Sequence, residues 1–205
     1  MKKLNDSAVL EVIELSKLLG DFGQIERVTR LPDGRLETDS HHSFSLALIA
    51  FELATQFAPE LDSKKILLYS LVHDLPELVT GDTNTLIATP EDLALKSKQD
   101  KEAAQKVRTI FKHAPSILHA IEAYELKEDD ESLFVYWIDK MSTIPTHFYD
   151  NGKNLKELGI TNRSDIKGWY ERTLNKLDKH KRAHTSAVQI LELTYMKMHD
   201  ELLDE

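Results

Sequence analysis

Cysteine is absent from all 205 residues, which excludes disulfides, thiolate zinc sites and thiol catalysis. Glycine and proline are scarce, at 7 and 6, too few for a turn-rich β protein or a low-complexity linker. No run reaches the roughly 18 apolar residues of a membrane span, and the first residues lack the apolar segment of a secretory signal. A cytoplasmic protein without a membrane partner is therefore expected. Basic residues are outnumbered 26 to 35, giving a net charge of −9, and no basic tract has the form of a nucleic-acid footprint, so duplex nucleic acid is not expected as a partner. An anionic small molecule would need a local positive centre to offset this field, such as a metal ion with one or two arginines. Phosphate loops of the Walker type, GxSxG elbows, HExxH pairs and internal repeats are also missing.

What is present suits one well-buried helical domain over 1–205, since 41% of the residues are hydrophobic and 30% charged and no linker interrupts them. A first helix is predicted over 7–19, with Val9, Leu10, Ile13, Leu15, Leu18 and Leu19 inward and Gly20 and Gly23 ending it. Residues 25–39 read as a loop around a Leu-Pro-Asp-Gly turn and hold Arg27, Arg30 and Arg35. Ser40 is the expected N-cap of a second helix, apolar nearly all round and so central, running to Ala58. A third helix starts near Ser63 and is broken by Pro76, and a short segment over 77–80 stops at Gly81. Further helices are predicted over 91–112 and from Pro115, followed by a solvated charged loop over 127–131. Asp130 or Ser132 then caps an apolar helix over 133–141. Its Phe134, Tyr136 and Trp137 read as core, and Tyr124 and Glu125 as structural. The stretch 164–204 reads as helices broken near 179–184, with Val188, Leu191, Tyr195 and Met198 inward and the basic run at the break a wet face.

The chemistry concentrates in residues 71–82, where His73, Asp74, Glu77 and Asp82 follow the end of an apolar segment. His42 lies in the first turn of the second helix, at the rim of the core. Asp139 lies among Trp137, Ile138 and Met141, where a buried carboxylate needs a cation. Each residue alone has an ordinary structural explanation. Together two imidazoles and two carboxylates make a mixed nitrogen and oxygen donor set that suits Mn, Co, Fe, Mg or Zn. Such an ion polarises a phosphoryl oxygen and acidifies its water.

The order His42, His73-Asp74, Asp139 resembles the pattern of the HD-domain metal phosphohydrolases. The match is closest to the branch containing bacterial 5′-deoxynucleotidases and their eukaryotic relatives. It runs from Arg27 to Met141, through Ser40 to Ser43, His73-Asp74 with Glu77, Thr80 to Asp82, Ile121 to Glu125, and Ile138 to Lys140. The resemblance implies an all-α HD-domain bundle with a motif-bearing core over 27–141 and C-terminal helices over 164–204 packed on it. It implies one divalent metal ion held by His42, His73, Asp74 and Asp139, with Glu77 handling the proton of the attacking water and Arg27 holding the phosphate. It places Asp82 and Thr85 against the nucleotide and allows a homodimer. Two positions depart from the branch: Val28 stands where a larger residue is common, and His41 where an acid is common. The implied activity is release of phosphate from deoxynucleoside 5′-monophosphates. A deoxynucleoside triphosphate hydrolase, with His41, Arg30, Arg35 or a second metal ion meeting the longer chain, is the alternative, and a non-catalytic nucleotide-binding regulator is the third.

Overall fold

Helices α2 (Asp39–Phe57) and α3 (Ser63–Val72), joined by the short turn 58–62, pack side by side; α7 (Asp130–Ser142) packs on both and α10 (Thr185–Leu202) packs on α7. The computed structural model describes residues 6–179 and 185–203. Leu46, Ile66, Phe134, Trp137, Ile138 and Leu191 from these four helices are fully buried and join in one core. A second buried cluster of Phe22, Val72, Leu75, Val107, Phe111, Ala120 and Ile121 draws in α1 (Asp6–Phe22), α4 (Glu77–Thr80), α5 (Pro90–Ile110) and α6 (Pro115–Leu126). Apolar side chains spaced three and four apart on each helix supply both clusters, and their removal from water is the main drive to this packing. The remaining helical elements among the described residues are a 3₁₀ turn (Pro145–Phe148), α8 (Lys153–Glu157) and α9 (Arg163–Lys179). The bundle is mostly helical, as predicted, and none of the described helices is long and apolar enough to cross a membrane.

Several local expectations are corrected. The stretch around Arg27 is not a loop but a hairpin of β1 (Glu26–Arg30) and β2 (Leu36–Thr38), paired antiparallel with Glu26 opposite Thr38 and Arg30 opposite Leu36. Its inward residues are polar, Thr29 and Glu37, joined by a 2.6 Å hydrogen bond from the threonine hydroxyl. An apolar alternation therefore never marked these strands. Gly34, at φ +86°, closes the turn in a conformation that costs a glycine little.

Helix α2 is capped by Thr38 rather than Ser40: Thr38 has extended backbone and its hydroxyl accepts from the His41 amide. The helix thus begins at Asp39 and buries that side chain completely. Nor is α2 covered all round, since Phe44, Leu48 and Phe57 are exposed. In α1 the predicted stripe is mostly outward. Val9, Leu10, Ile13 and Leu19 are exposed, because only Leu15, Leu18 and Phe22 reach the second cluster, and the helix continues through Gly20. Helix α7 is capped by Asp129, whose carboxylate accepts from the Ser132 amide and the Tyr69 hydroxyl, each at 2.8 Å. Lys127 does not belong to a solvated loop. It ends α6 in a left-handed conformation, φ 52°, and its side chain turns inward. The break expected near 179–184 falls on residues 180–184, which lie outside the described residues.

Candidate metal centre

Three helices deliver the polar cluster predicted from the sequence. Pro76 cannot continue α3, so the chain turns after Val72 with His73 as the helical C-cap and Asp74 next, while buried Leu75 anchors the turn. His42 comes from the first buried turn of α2 and Asp139 from the inner face of α7. One donor atom from each of His42, His73 and Asp139 lies within 4.8 Å of the others, and all three residues are buried. His42 Nε2 is 3.0 Å and His73 Nε2 3.6 Å from the same Asp139 oxygen, Oδ1. Asp74 Oδ2 lies 3.0 Å from His73 Nε2 and 4.0 Å from His42 Nε2. All four predicted ligands therefore meet.

The His73 ring offers the sharpest test of whether a cation fits. Its Nδ1 lies 2.9 Å from the Ser70 carbonyl, to which it can donate, while the buried Nε2 faces Asp74 at 3.0 Å and Asp139 at 3.6 Å without a well-aligned hydrogen bond to either. That is how a metal-binding histidine is prepared, one nitrogen fixed by a backbone carbonyl and the other left for the ion. Burial alone would lower the pKa of His73, but Asp74 and Asp139 outweigh it and hold the ring up at about 10. The acids thus demand positive charge at this nitrogen. Asp74 and Asp139 lie well below the ordinary carboxylate range, because the upward push of burial is overcome by His73 and Arg27 at Asp74, and by Lys140 together with hydrogen bonds to His42 and His73 at Asp139. Two imidazoles with two ionised carboxylates fit a divalent Mn, Co, Fe, Mg or Zn ion.

Around this group lies a second set of acids with an arginine at its centre. Arg27 Nη1 is 2.9 Å from Asp74, 3.2 Å from Asp39 and 3.9 Å from Asp82, and Nε is 3.6 Å from Glu37. Its guanidinium is held even more firmly charged than usual, since burial, which would lower its pKa, is overcome by Asp74, Asp82, Asp139 and Asp39. Glu77 is pushed up to about 10 by burial and then by Asp74, Asp82 and Asp39; its Oε2 is buried without a partner, and Lys96 is 4.0 Å from Oε1. Asp39 is raised to about 6 by burial and Asp74, against the pull of Arg27. Asp82 is raised by burial, with Arg27 partly offsetting it.

The centre opens into a cleft of about 960 Å³, within the range of small-molecule sites. Arg27, Glu77, Asp82 and Thr85 all line it, as does Val28. Arg30, Arg35 and His41 do not. Arg30 is held by Glu157 at 3.1 Å, Arg35 by Asp33 at 2.7 Å, and half-exposed His41 lies 3.6 Å from Glu37. The lining also includes residues that the sequence did not mark as parts of a site, among them Tyr124, whose ring meets His73 edge-on at 5.9 Å, Tyr136, Lys127 and Lys140. Lys140 Nζ sits 2.6 Å from Asp139 Oδ2, a pairing signalled only by their adjacency. Asp39 was missed as well, and its signal was its place three residues before His42, on the same helical face.

A helical bundle that gathers two histidines and two aspartates from three helices at the floor of a cleft defines a protein built around a metal-type centre. The chain belongs to the HD-domain family: the family model described as HD domain matches residues 20–181. No protein of curated function matches the sequence. Among solved structures the chain resembles a predicted metal-dependent phosphohydrolase from Magnetospirillum magnetotacticum, with 20% identity, a TM-score of 0.72 and all of both chains covered. It also resembles a conserved hypothetical protein from Pyrococcus furiosus, with 22% identity, a TM-score of 0.53, and 82% of this chain and 97% of the other covered. At these identities the likeness is one of fold.

Proposed function

We propose that this chain is a metal-dependent phosphohydrolase that releases phosphate from deoxynucleoside 5′-monophosphates, acting as one HD domain in the cytoplasm. The observation that carries the reading is convergence. The four donor residues, a buried arginine and a carboxyl with a strongly raised pKa face one cleft large enough for a nucleotide. His42, His73, Asp74 and Asp139 would hold the divalent ion, which when bound supplies Lewis-acid polarisation of phosphoryl oxygen and a more acidic water. Arg27 offers its guanidinium to the phosphate from the strand side, and the acids around it fix its orientation before the substrate arrives. Without metal the Glu77 carboxyl keeps its proton up to about pH 10; a divalent cation beside it would favour the ionised form, whose Oε2, free of any hydrogen bond, would then take a proton from the attacking water. Asp82 and Thr85, which line the same cleft, would contact the nucleotide. The phosphohydrolase description of the Magnetospirillum protein, which shares the fold, agrees with this reading.

The residues first expected to serve a triphosphate, Arg30, Arg35 and His41, are turned away from the cleft, which favours the monophosphate. The test is to incubate purified protein with Mn, Co, Mg, Fe or Zn and a panel of nucleoside mono- and triphosphates, and to identify the products. Orthophosphate from a deoxynucleoside 5′-monophosphate, dependent on added metal, is the expected outcome. Release of tripolyphosphate alone, or no hydrolysis with any metal, would overturn the proposal.

A further inference from the structure

Part of the cleft wall is apolar and takes no part in the reading above. Ile144, Ile166, Trp169 and Met198 line it, all of them buried within the main core cluster, and Ile166 and Trp169, three apart on α9, share one helical face. Two contacts join this wall to residues already assigned to the site. Asn154, in α8, donates from Nδ2 to the carbonyl of Val28, the neighbour of Arg27, at 3.1 Å, and the 3₁₀ turn itself packs against β1. On the other side Arg172 Nη2, from α9, lies 3.5 Å from the Thr85 carbonyl. Val28 and Thr85 line the same cleft, so the apolar wall adjoins both the phosphate side and the loop that follows Asp82.

One imidazole interrupts the wall. His147, from the 3₁₀ turn, lines the cleft and is only 4% exposed, and neither ring nitrogen has a hydrogen-bond partner among the described residues, Nδ1 being wholly buried. Burial lowers its pKa to about 4, with Asp150 opposing only in part, so the ring is neutral above that pH, with one nitrogen a donor and the other an acceptor. A buried polar group without a partner costs free energy, and its place in an apolar wall calls for a partner that the chain does not supply. We propose that this wall is a nucleobase subsite, in which Trp169 and the isoleucines pack against the base and His147 hydrogen-bonds its edge. The inference rests on the phosphohydrolase reading and deepens it, since it makes His147 the residue that determines which base is preferred. A base suits such a wall because its faces are flat, uncharged and apolar while its edge carries donors and acceptors. With the phosphate at Arg27 and Thr85 against the nucleotide, the base falls to the wall that adjoins both.

The test is equilibrium binding of the full chain, loaded with Mn, to the four deoxynucleoside 5′-monophosphates and to 2-deoxyribose 5-phosphate, which carries the same phosphate and sugar without the base. Titrations are run in the cold and each ligand is checked for turnover. Wild type is expected to bind at least one nucleotide about tenfold or more tightly than the sugar phosphate, and the nucleotide with the largest advantage identifies the preferred base. In His147→Leu that advantage should fall by about fivefold or more while the sugar phosphate binds as before, and His147→Gln, which keeps a donor and an acceptor, should retain most of it. Leucine removes a buried polar group that has no partner, so the fold should survive, as circular dichroism would show. If it does not, Trp169→Leu must reduce the same advantage to a similar degree. No advantage in wild type, an undiminished one in the folded variant, or an equal loss of the sugar phosphate would overturn the subsite. An advantage that depends on His147 in a protein hydrolysing no nucleotide would keep the subsite and refute the phosphohydrolase reading instead.

Discussion

Arg27 shows how a single residue can serve both the site and the fold. Four carboxylates surround its guanidinium, and its side chain is only 12% exposed, so removing it leaves several buried acids without their counter-charge. Arg27→Ala is therefore expected to lose turnover and also about 3–5 kcal/mol of stability, the usual result of breaking a buried charge network from one side. Activity assays paired with urea denaturation check this, and a variant as stable as wild type would show that the acids find other compensation. Glu77 has the opposite character. It touches little and is proposed to handle the proton, so Glu77→Gln should keep the fold and the bound ion while hydrolysis falls by roughly 10²–10⁴-fold. A rate within a few-fold of wild type, with metal retained, would remove Glu77 from the reaction.

At the scale of elements, α7 is the most consequential, because it carries Asp139 and Lys140 into the cleft beside a fully buried Trp137. Its N-terminus is fixed by Asp129, which caps the Ser132 amide and also holds Tyr69 on α3. Asp129→Ala should therefore cost about 1–2 kcal/mol, seen as a lower denaturation midpoint, since a cap is lost. No change would mean that Tyr69 and Lys65, whose ammonium lies 3.1 Å from Asp129, reorganise around the loss. The helices were legible because their apolar residues recur at helical spacing and because Pro76, Gly81 and Pro115 punctuate them. The acid and imidazole set was legible because each motif falls at a helix end or inside an apolar helix, where a polar group has to be accounted for. The hairpin was not, because its buried pair is Thr29 and Glu37, a hydrogen bond that leaves no hydrophobic pattern. The exposure of half of α1 was not legible either, since periodicity marks an apolar face without saying whether another element covers it. Lys127 was hidden inside a charged run, and only its left-handed backbone turns it inward.

For the molecule as a whole, the ionisable groups at the centre set the pH dependence of stability in the absence of bound metal. Glu77 and His73 have pKa values raised to about 10 in the folded chain, so each binds its proton more tightly when folded. Their contributions are fully present below their unfolded values, 4.5 and 6.5, and are lost as pH rises towards 10. Asp74 and Asp139 act the other way: their lowered values stabilise the fold above 3.8 and cease to do so as pH falls through the folded values. Lys127, lowered to about 8, partly opposes the alkaline loss. Chelator-treated protein should thus be most stable at mildly acidic pH, with a melting temperature that declines from pH 6 to pH 9, and Glu77→Gln should flatten that decline. A melting temperature rising steadily to pH 9 would contradict this charge arrangement.

One centre is proposed to do two things, hold an ion and cleave a phosphate ester. The most direct measurement takes wild type, His73→Ala and Asp74→Ala from the same purification, confirms their helical content by circular dichroism, and determines bound metal and phosphate release on each sample. Stoichiometric metal and metal-dependent release of orthophosphate in wild type, with both lost in each folded variant, is the predicted result. Full metal content and undiminished phosphate release in either variant would contradict it.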